Sequence, residues 1–307
     1  MLASLAVTGK RRNSLAAGAS LLALLAIVAT GCGTKKEASS GTTNTGASAN
    51  ASCSKSDLSL IKTGTLTIGT DNPAYPPWYG GTPHKPWQVS DPRSGKGYES
   101  AVAYAVAKQL GFSKDEVDWK YVPFNTSFAP GAKSFDFDIN QVAVTPERSK
   151  TVDFSRSYYD ENQAVVVRKG TPIAKVTTLA GLRPYDLGAQ LGTTSYQFIQ
   201  DVIKPSKKPS VFPQNAGAVQ ALKNGQIDGL VLDLPTAFYV SSAQVPNGEI
   251  LGQFPTQPGG EHFGLVFQKG NSLRACVDKV LTTLDTNGTL KRLQQQWIQK
   301  AGAPILK

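Results

Sequence analysis

The chain reads as an α/β protein with largely parallel sheets. Short β-patterned runs alternate with helical runs from residue 65 to the C-terminus. The run 227–232 is apolar enough to be a strand buried on both faces. Glycines or capping residues punctuate the helical runs.

In order, structure begins at Leu58-Ser59-Leu60 and strand 65–70, with Asp71 at its C-terminal end. Asn72-Pro73-Ala74-Tyr75-Pro76-Pro77-Trp78 is too proline-rich for anything but a fixed loop, which 80–97 extends with Pro83, Pro86, Pro92 and four glycines. Helix 99–110 puts Val102, Ala105, Val106 and Leu110 on one face, and Gly111 stops it. Strand 117–122 follows. Phe135, Phe137 and Ile139 then alternate with polar residues on one face of a strand, until Thr145-Pro146 breaks it. A short polar turn leads to a second apolar piece, 152–155. Strands 163–168 and 186–190 come next, and Gly192-Thr193-Thr194-Ser195 opens a helix to about residue 203. Asn215 caps a helix ending at Gly225, and strand 227–232 ends in Asp233. Strands 249–253 and 263–267 precede helices 272–286 and 290–300, separated by Asn287-Gly288. Two clusters of βα units predict two lobes, and the pattern alone puts a boundary near Gly170. There is no internal repeat.

The N-terminus is an export signal. Lys10, Arg11 and Arg12 precede an uncharged run, 13–34, with a leucine-rich centre and small residues Ala29-Thr30-Gly31 at the end of residues 1–31. Cys32 after Gly31 resembles a bacterial lipobox, in which that cysteine takes a diacylglycerol and becomes the first residue; Ala29 departs from the usual leucine. The alternative is a single transmembrane anchor, since 22 residues can span a bilayer. Residues 32–54, rich in Ser, Thr, Ala, Asn and Gly, read as a flexible tether. From Cys32 onward 29 basic residues face 22 acidic ones, and no basic run exceeds two. That excludes a nucleic-acid footprint.

The most informative stretch is 135–159, FDFDINQVAVTPERSKTVDFSRSYY. Arg148 lies just beyond a buried strand, where α/β proteins hold anions. The run resembles the TPER-x-K-x-VDFSxxYY signature of the polar amino-acid binding proteins of ABC importers, bacterial extracellular solute-binding proteins of family 3. The resemblance covers about residues 66–298. It implies a two-lobed clamshell whose chain crosses a hinge twice, near 160–163 and near 261–264. Lobe 1 would then comprise 55–161 plus 263–307, and lobe 2 162–262, each with a mostly parallel sheet.

The resemblance also implies a site. Arg148 on one lobe and Thr193 with Thr194 on the other would hold the ligand's α-carboxylate, and Asp233 its α-ammonium. Asp71, Tyr75, Trp78, Phe128 and Gln141 would line the rest of the pocket. Each residue alone also has a plainer reading. Arg148 suits a surface ion pair with Glu147 or Asp153, Gly192-Thr193-Thr194 and Asp233 suit helix caps, and Tyr75 and Trp78 suit core aromatics. Two departures stand out. Ala143 replaces the Ser or Thr of many relatives, and the loop from Asp71 to Tyr75 is one residue longer than usual.

The implied protein is extracytoplasmic, monomeric, tethered to the outer face of the membrane by lipid, and paired with a membrane permease, with no cofactor. No G-x-S-x-G, HExxH or CxxC is present, and the histidines are His84 and His262. His84 reads as solvated and His262 as structural. Two alternatives stay open. One is a dehydratase of the same fold using Asp71 or Glu99, and the other is a sensor acting through a separate chain. With Cys32 spent on lipid, Cys53 and Cys276 remain in an oxidising compartment. The implied topology returns Cys276 to the lobe that Cys53 begins, so a disulfide is expected; two unrelated thiols are the alternative.

Overall fold

The computed structural model describes residues 53–256, 260–298 and 303–307. The export signal, Cys32 and the tether up to residue 52 lie outside them. No helix among the described residues is long and apolar enough to cross a membrane.

The first group of elements is β1 (Leu66–Thr70), α1 (Tyr98–Gln109), β2 (Val117–Tyr121), α2 (Phe124–Ser127), β3 (Phe137–Asp138) and β4 (Val152–Glu161). The second is β5 (Gln163–Arg168), β6 (Leu187–Gln190), α3 (Thr194–Phe198), β7 (Ser210–Phe212), α4 (Asn215–Lys223), β8 (Gly229–Asp233), α5 (Leu234–Tyr239) and β9 (Gly248–Gln253). The third is β10 (Glu261–Gln268), α6 (Leu273–Thr286) and α7 (Thr289–Trp297). They form two five-stranded sheets, ordered β2-β1-β3-β10-β4 and β7-β6-β8-β5-β9.

Both sheets are mixed, not mostly parallel. β1 runs parallel to β2 and β3, but β10 runs antiparallel to β3 and β4. β6 runs parallel to β7 and β8, but β5 runs antiparallel to β8 and β9. The crossings between the lobes explain this. β1, β3, β6 and β8 end at the cleft, whereas β5 and β10 start there. A strand entering from the cleft must run against those that finish at it.

β5 shows why the second sheet reads as a continuous apolar run. Val166 packs with Leu222 and Leu230 on one face, while Val165 and Val167 pack with Leu187 and Ile199 on the other. Each such buried valine contributes about 1.5–3 kcal/mol. In the first lobe α6 buries Leu273, Cys276, Val277, Leu281 and Leu284, a stripe at helical spacing, against the sheet. A disulfide joins Cys53 to Cys276, with a Cα–Cα distance of 5.5 Å. Cys53, read as tether, is thereby pinned to α6.

Local readings differ in several places. The strand at 135–139 shrinks to β3, and its polar positions are buried as well as its apolar ones. Asp136 accepts from the backbone N–H of Ile61 at 2.8 Å and of Thr67 at 2.7 Å, so it takes a place a ladder bond would fill. Gln214, not Asn215, is the cap residue of α4. On α1, Ala103 and Ala107 are buried where Ala105 was expected.

The C-terminus departs most. Residues 303–307 dock on the second sheet, not the first lobe. Gln253 N–H donates to Pro304 O at 2.8 Å, and Leu306 N–H donates to Gln253 O at 3.0 Å. Lys307 N–H donates to Thr177 O at 3.1 Å. β9 is the sheet's edge, so its backbone groups need partners, and the tail supplies them. Leu306 is only 2% exposed. Gly252 makes the room, since a Cβ there would lie 2.7 Å from Leu306 Cγ.

Candidate ligand cleft

A cavity lies between the two sheets. Asp71 reaches it from the end of β1, and Arg148 from the turn after β3. Asp233 reaches it from the end of β8, and Thr193 and Thr194 from the start of α3. Charges of opposite sign therefore line one space from opposite lobes.

Arg148 is 9% exposed. It donates through Nη1 to Ala143 O at 2.6 Å and through Nη2 to Gly192 O, on the other lobe, at 2.8 Å. Its guanidinium lies 4.3 Å from the ring centroid of Phe128 and 5.6 Å from that of Phe124. Burial lowers its pKa to about 10, opposed by the charge of Glu261, and it stays cationic at neutral pH. The plainer ion-pair reading does not hold here. Glu147 pairs with Lys150 at 2.7 Å and Asp153 with Lys269 at 2.9 Å.

Asp233 caps α5, its Oδ1 accepting from Thr236 N–H at 2.8 Å. The cap engages one oxygen, and the residue still lines the cavity. Burial pushes its carboxyl up to about 6, partly offset by the Thr236 bonds. Thr193 caps α3 through Tyr196 N–H at 3.1 Å and donates to Gln190 O at 2.8 Å. Thr194 donates its hydroxyl to Glu261, and Gln163 donates to the other Glu261 oxygen at 3.0 Å. Glu261 begins β10 opposite Glu161. Nothing in its local sequence separated it from a surface acid; only the hinge pairing brings it beside Thr194.

Asp71 and Tyr75 line the cavity, and burial raises both their pKa values. The Tyr75 ring centroid lies 6.2 Å from that of Tyr239 on the other lobe. Gln141 also lines it. Two expected pocket aromatics do not. Trp78 is 1% exposed, packed against Tyr98, Tyr159 and Phe263, and its indole N–H donates to Thr236 Oγ1 at 2.8 Å. It is a buried contact between lobes, because the indole N–H needs a partner once sealed. Phe128 lies under Arg148, and Phe124, four residues earlier, faces the cavity instead. Tyr79 lines it as well, held by bonds to Thr70 and Ile139 O.

Glu99 is fully buried and accepts from Gln141 and Tyr158, so it does not face the cleft as an acid for elimination. His84 is largely exposed, 3.2 Å from Asp91.

The family description "Bacterial extracellular solute-binding proteins, family 3" matches residues 66–300. The arginine-binding extracellular protein ArtP of Bacillus subtilis (strain 168) is 26% identical over 218 residues, 70% of this chain and 82% of its own. The glutamine-binding ABC transporter protein GlnH of the same organism is 28% identical over 218 residues, 69% of this chain and 77% of its own. An ancestral arginine-binding protein solved with arginine bound superposes with a TM-score of 0.63 at 30% identity, covering 77% of this chain and 99% of that one.

Proposed function

Because the chain belongs to the bacterial extracellular solute-binding proteins of family 3, we propose that it captures a polar amino acid outside the cytoplasm and delivers it to an ABC permease. One observation carries this reading. Arg148 and Asp233 line a single cavity from opposite lobes, a cation and a carboxylate for the two charges every free amino acid has. Arg148 and the backbone N–H of Thr194 take the α-carboxylate, the Thr194 hydroxyl being held by Glu261, and Asp233 takes the α-ammonium. Removing Arg148 or Asp233 leaves a ligand charge desolvated and unpaired.

The rest of the cavity selects the side chain. Asp71 accepts hydrogen bonds, and Tyr75 and Phe124 offer ring faces, so the site favours side chains that donate, such as those of arginine, lysine, histidine or glutamine. Glutamate and aspartate would set a carboxylate against Asp71 and bind worse. Ligand held by one lobe recruits the other and shifts the equilibrium toward closure, the form a permease recognises. Lipid on Cys32 keeps the protein at the membrane, and a tether of about 20 residues reaches roughly 25 Å.

Thermal-shift screening of the twenty amino acids against the chain from Cys53, with its disulfide intact, followed by calorimetry, tests the reading, because ligand raises stability by mass action. A donor side chain should rank first. A ranking led by glutamate or aspartate would overturn the specificity, and no amino acid binding would overturn the function.

A further inference from the structure

Gln141 sits in the cavity wall with φ of +48°, a left-handed conformation uncommon for glutamine. One buried carboxylate holds it there. Gln141 N–H donates to Glu99 Oε1 at 2.7 Å, and the side-chain Nε2 donates to Glu99 Oε2. The Tyr158 hydroxyl also donates to Oε1. Glu99 itself is fixed in the first turn of α1, its own N–H bound to Trp78 O at 2.9 Å.

An ionised carboxylate only accepts, so it dictates which end of a neighbouring amide turns toward it. The NH2 of Gln141 faces Glu99, which leaves the amide oxygen Oε1. That oxygen is not among the sealed, unpartnered atoms of the described residues, and Gln141 lines the cavity. We propose that Glu99 is a positioning residue for ligand selection: it locks Gln141 so that an amide oxygen faces the ligand, favouring side chains that donate. This rests on the amino-acid-binding reading above and adds a selector to Asp71.

Protonation would reverse the lock. A protonated Glu99 can donate to Oε1 and turn the NH2 of Gln141 toward the ligand instead. Burial pushes the Glu99 carboxyl up to about 7, against the hydrogen bonds from Tyr158 and Gln141, so the change falls in the neutral range. The phenols facing it hold one state there. Tyr79, Tyr98 and Tyr158 have phenols raised by burial and stay protonated. Asp138 on β3 is held well above the usual carboxylate range by burial and by Glu99 itself; Asp71 lies beyond it, and Lys133 pulls it the other way.

The test uses L-glutamine and L-methionine, neutral side chains of similar length of which one donates. Calorimetry with displacement gives the ratio of their affinities for the wild-type protein, Glu99→Gln and Gln141→Leu. Both ligands share the α-groups, so titration of Asp233 cancels in the ratio. Each variant should cut the preference for glutamine by about three- to tenfold, one neutral hydrogen bond. The wild-type preference should fall from pH 8 to pH 6, and both variants should be flat. A purely structural Glu99 would weaken both ligands together and leave the ratio alone, which overturns the proposal, as does a pH-independent wild-type ratio. Should Glu99→Gln lose its fold, Gln141→Leu decides. If no amino acid binds the wild type, the binding reading fails first, and this one with it.

Discussion

A buried guanidinium is costly unless its donors are used, and Arg148 uses two of them on backbone carbonyls from both lobes. Its remaining donors are what a ligand carboxylate would take. Arg148→Ala or Asp233→Ala should weaken amino-acid binding by about 2–5 kcal/mol with an unchanged circular dichroism spectrum; calorimetry finding affinity intact in both would reject the clamp. Asp233 adds a pH dependence. Its carboxyl sits at about 6, and only the ionised form pairs with an ammonium, so affinity should rise as pH increases through 6. Glu99 acts on stability. Its folded pKa of about 7 is raised from 4.5, so folding favours the protonated form. Its contribution is complete below about pH 4.5 and is lost as pH rises through 7, about 3 kcal/mol in all. Urea titrations of ligand-free protein should show that decline, and Glu99→Gln should make it shallower, leaving the share of Asp233, whose carboxyl burial also raises.

At the scale of elements, the C-terminal tail and the disulfide each tie down something the sheets leave loose. The tail covers the edge of β9 and buries Leu306 against the second core. Leu306→Ala should cost about 2–5 kcal/mol, and Gly252→Val should cost more than a surface change, since any Cβ meets the tail. The Cys53–Cys276 link spans 223 residues of sequence and joins the start of the described chain to α6. Cys276→Ser should lower stability by about 2–5 kcal/mol. A melting curve unchanged in the serine variant would show that the packing of α6 suffices alone.

Across the whole molecule, the lobes meet through a small set of contacts beside the cavity: Arg148 to Gly192 O, Trp78 to Thr236 and the Tyr75–Tyr239 ring pair. Gly192 suits the place where the second lobe touches the first, with φ of +78°, and any side chain there would also have to displace the Asn125 amide. Opening the lobes about the hinge would part these contacts, so on that mechanism they contribute to binding without touching ligand. Trp78→Phe keeps an aromatic ring but deletes the pyrrole half of the indole, with the N–H to Thr236. It should weaken ligand affinity about two- to tenfold. Small-angle scattering on the ligand-free variant should show a larger radius of gyration than wild type. An identical affinity would remove Trp78 from the closure mechanism.

Much of this was present in the sequence because it is set locally. Alternation of strand and helix patterns predicts an α/β protein from side-chain periodicity alone, and β5 announces its two-sided burial through Val165-Val166-Val167. The contiguous TPER run and its resemblance pointed to Arg148, and strand ends pointed to Asp71 and Asp233. What the sequence could not carry depends on distance along the chain. Strand direction follows from which end enters at the cleft, so the mixed sheets appear only once both crossings are in place. Phe124 and Phe128 are indistinguishable by type and spacing, and the position of Arg148 decides which ring lies under it. Trp78 leaves the pocket because Thr236, 158 residues away, satisfies its N–H. Glu261 comes up behind Thr194 and Gln163 because β10 returns opposite β4, and the tail leaves the first lobe because β9 has an open edge. Periodicity reports whether a side chain is buried; only the tertiary fold decides what it is buried against.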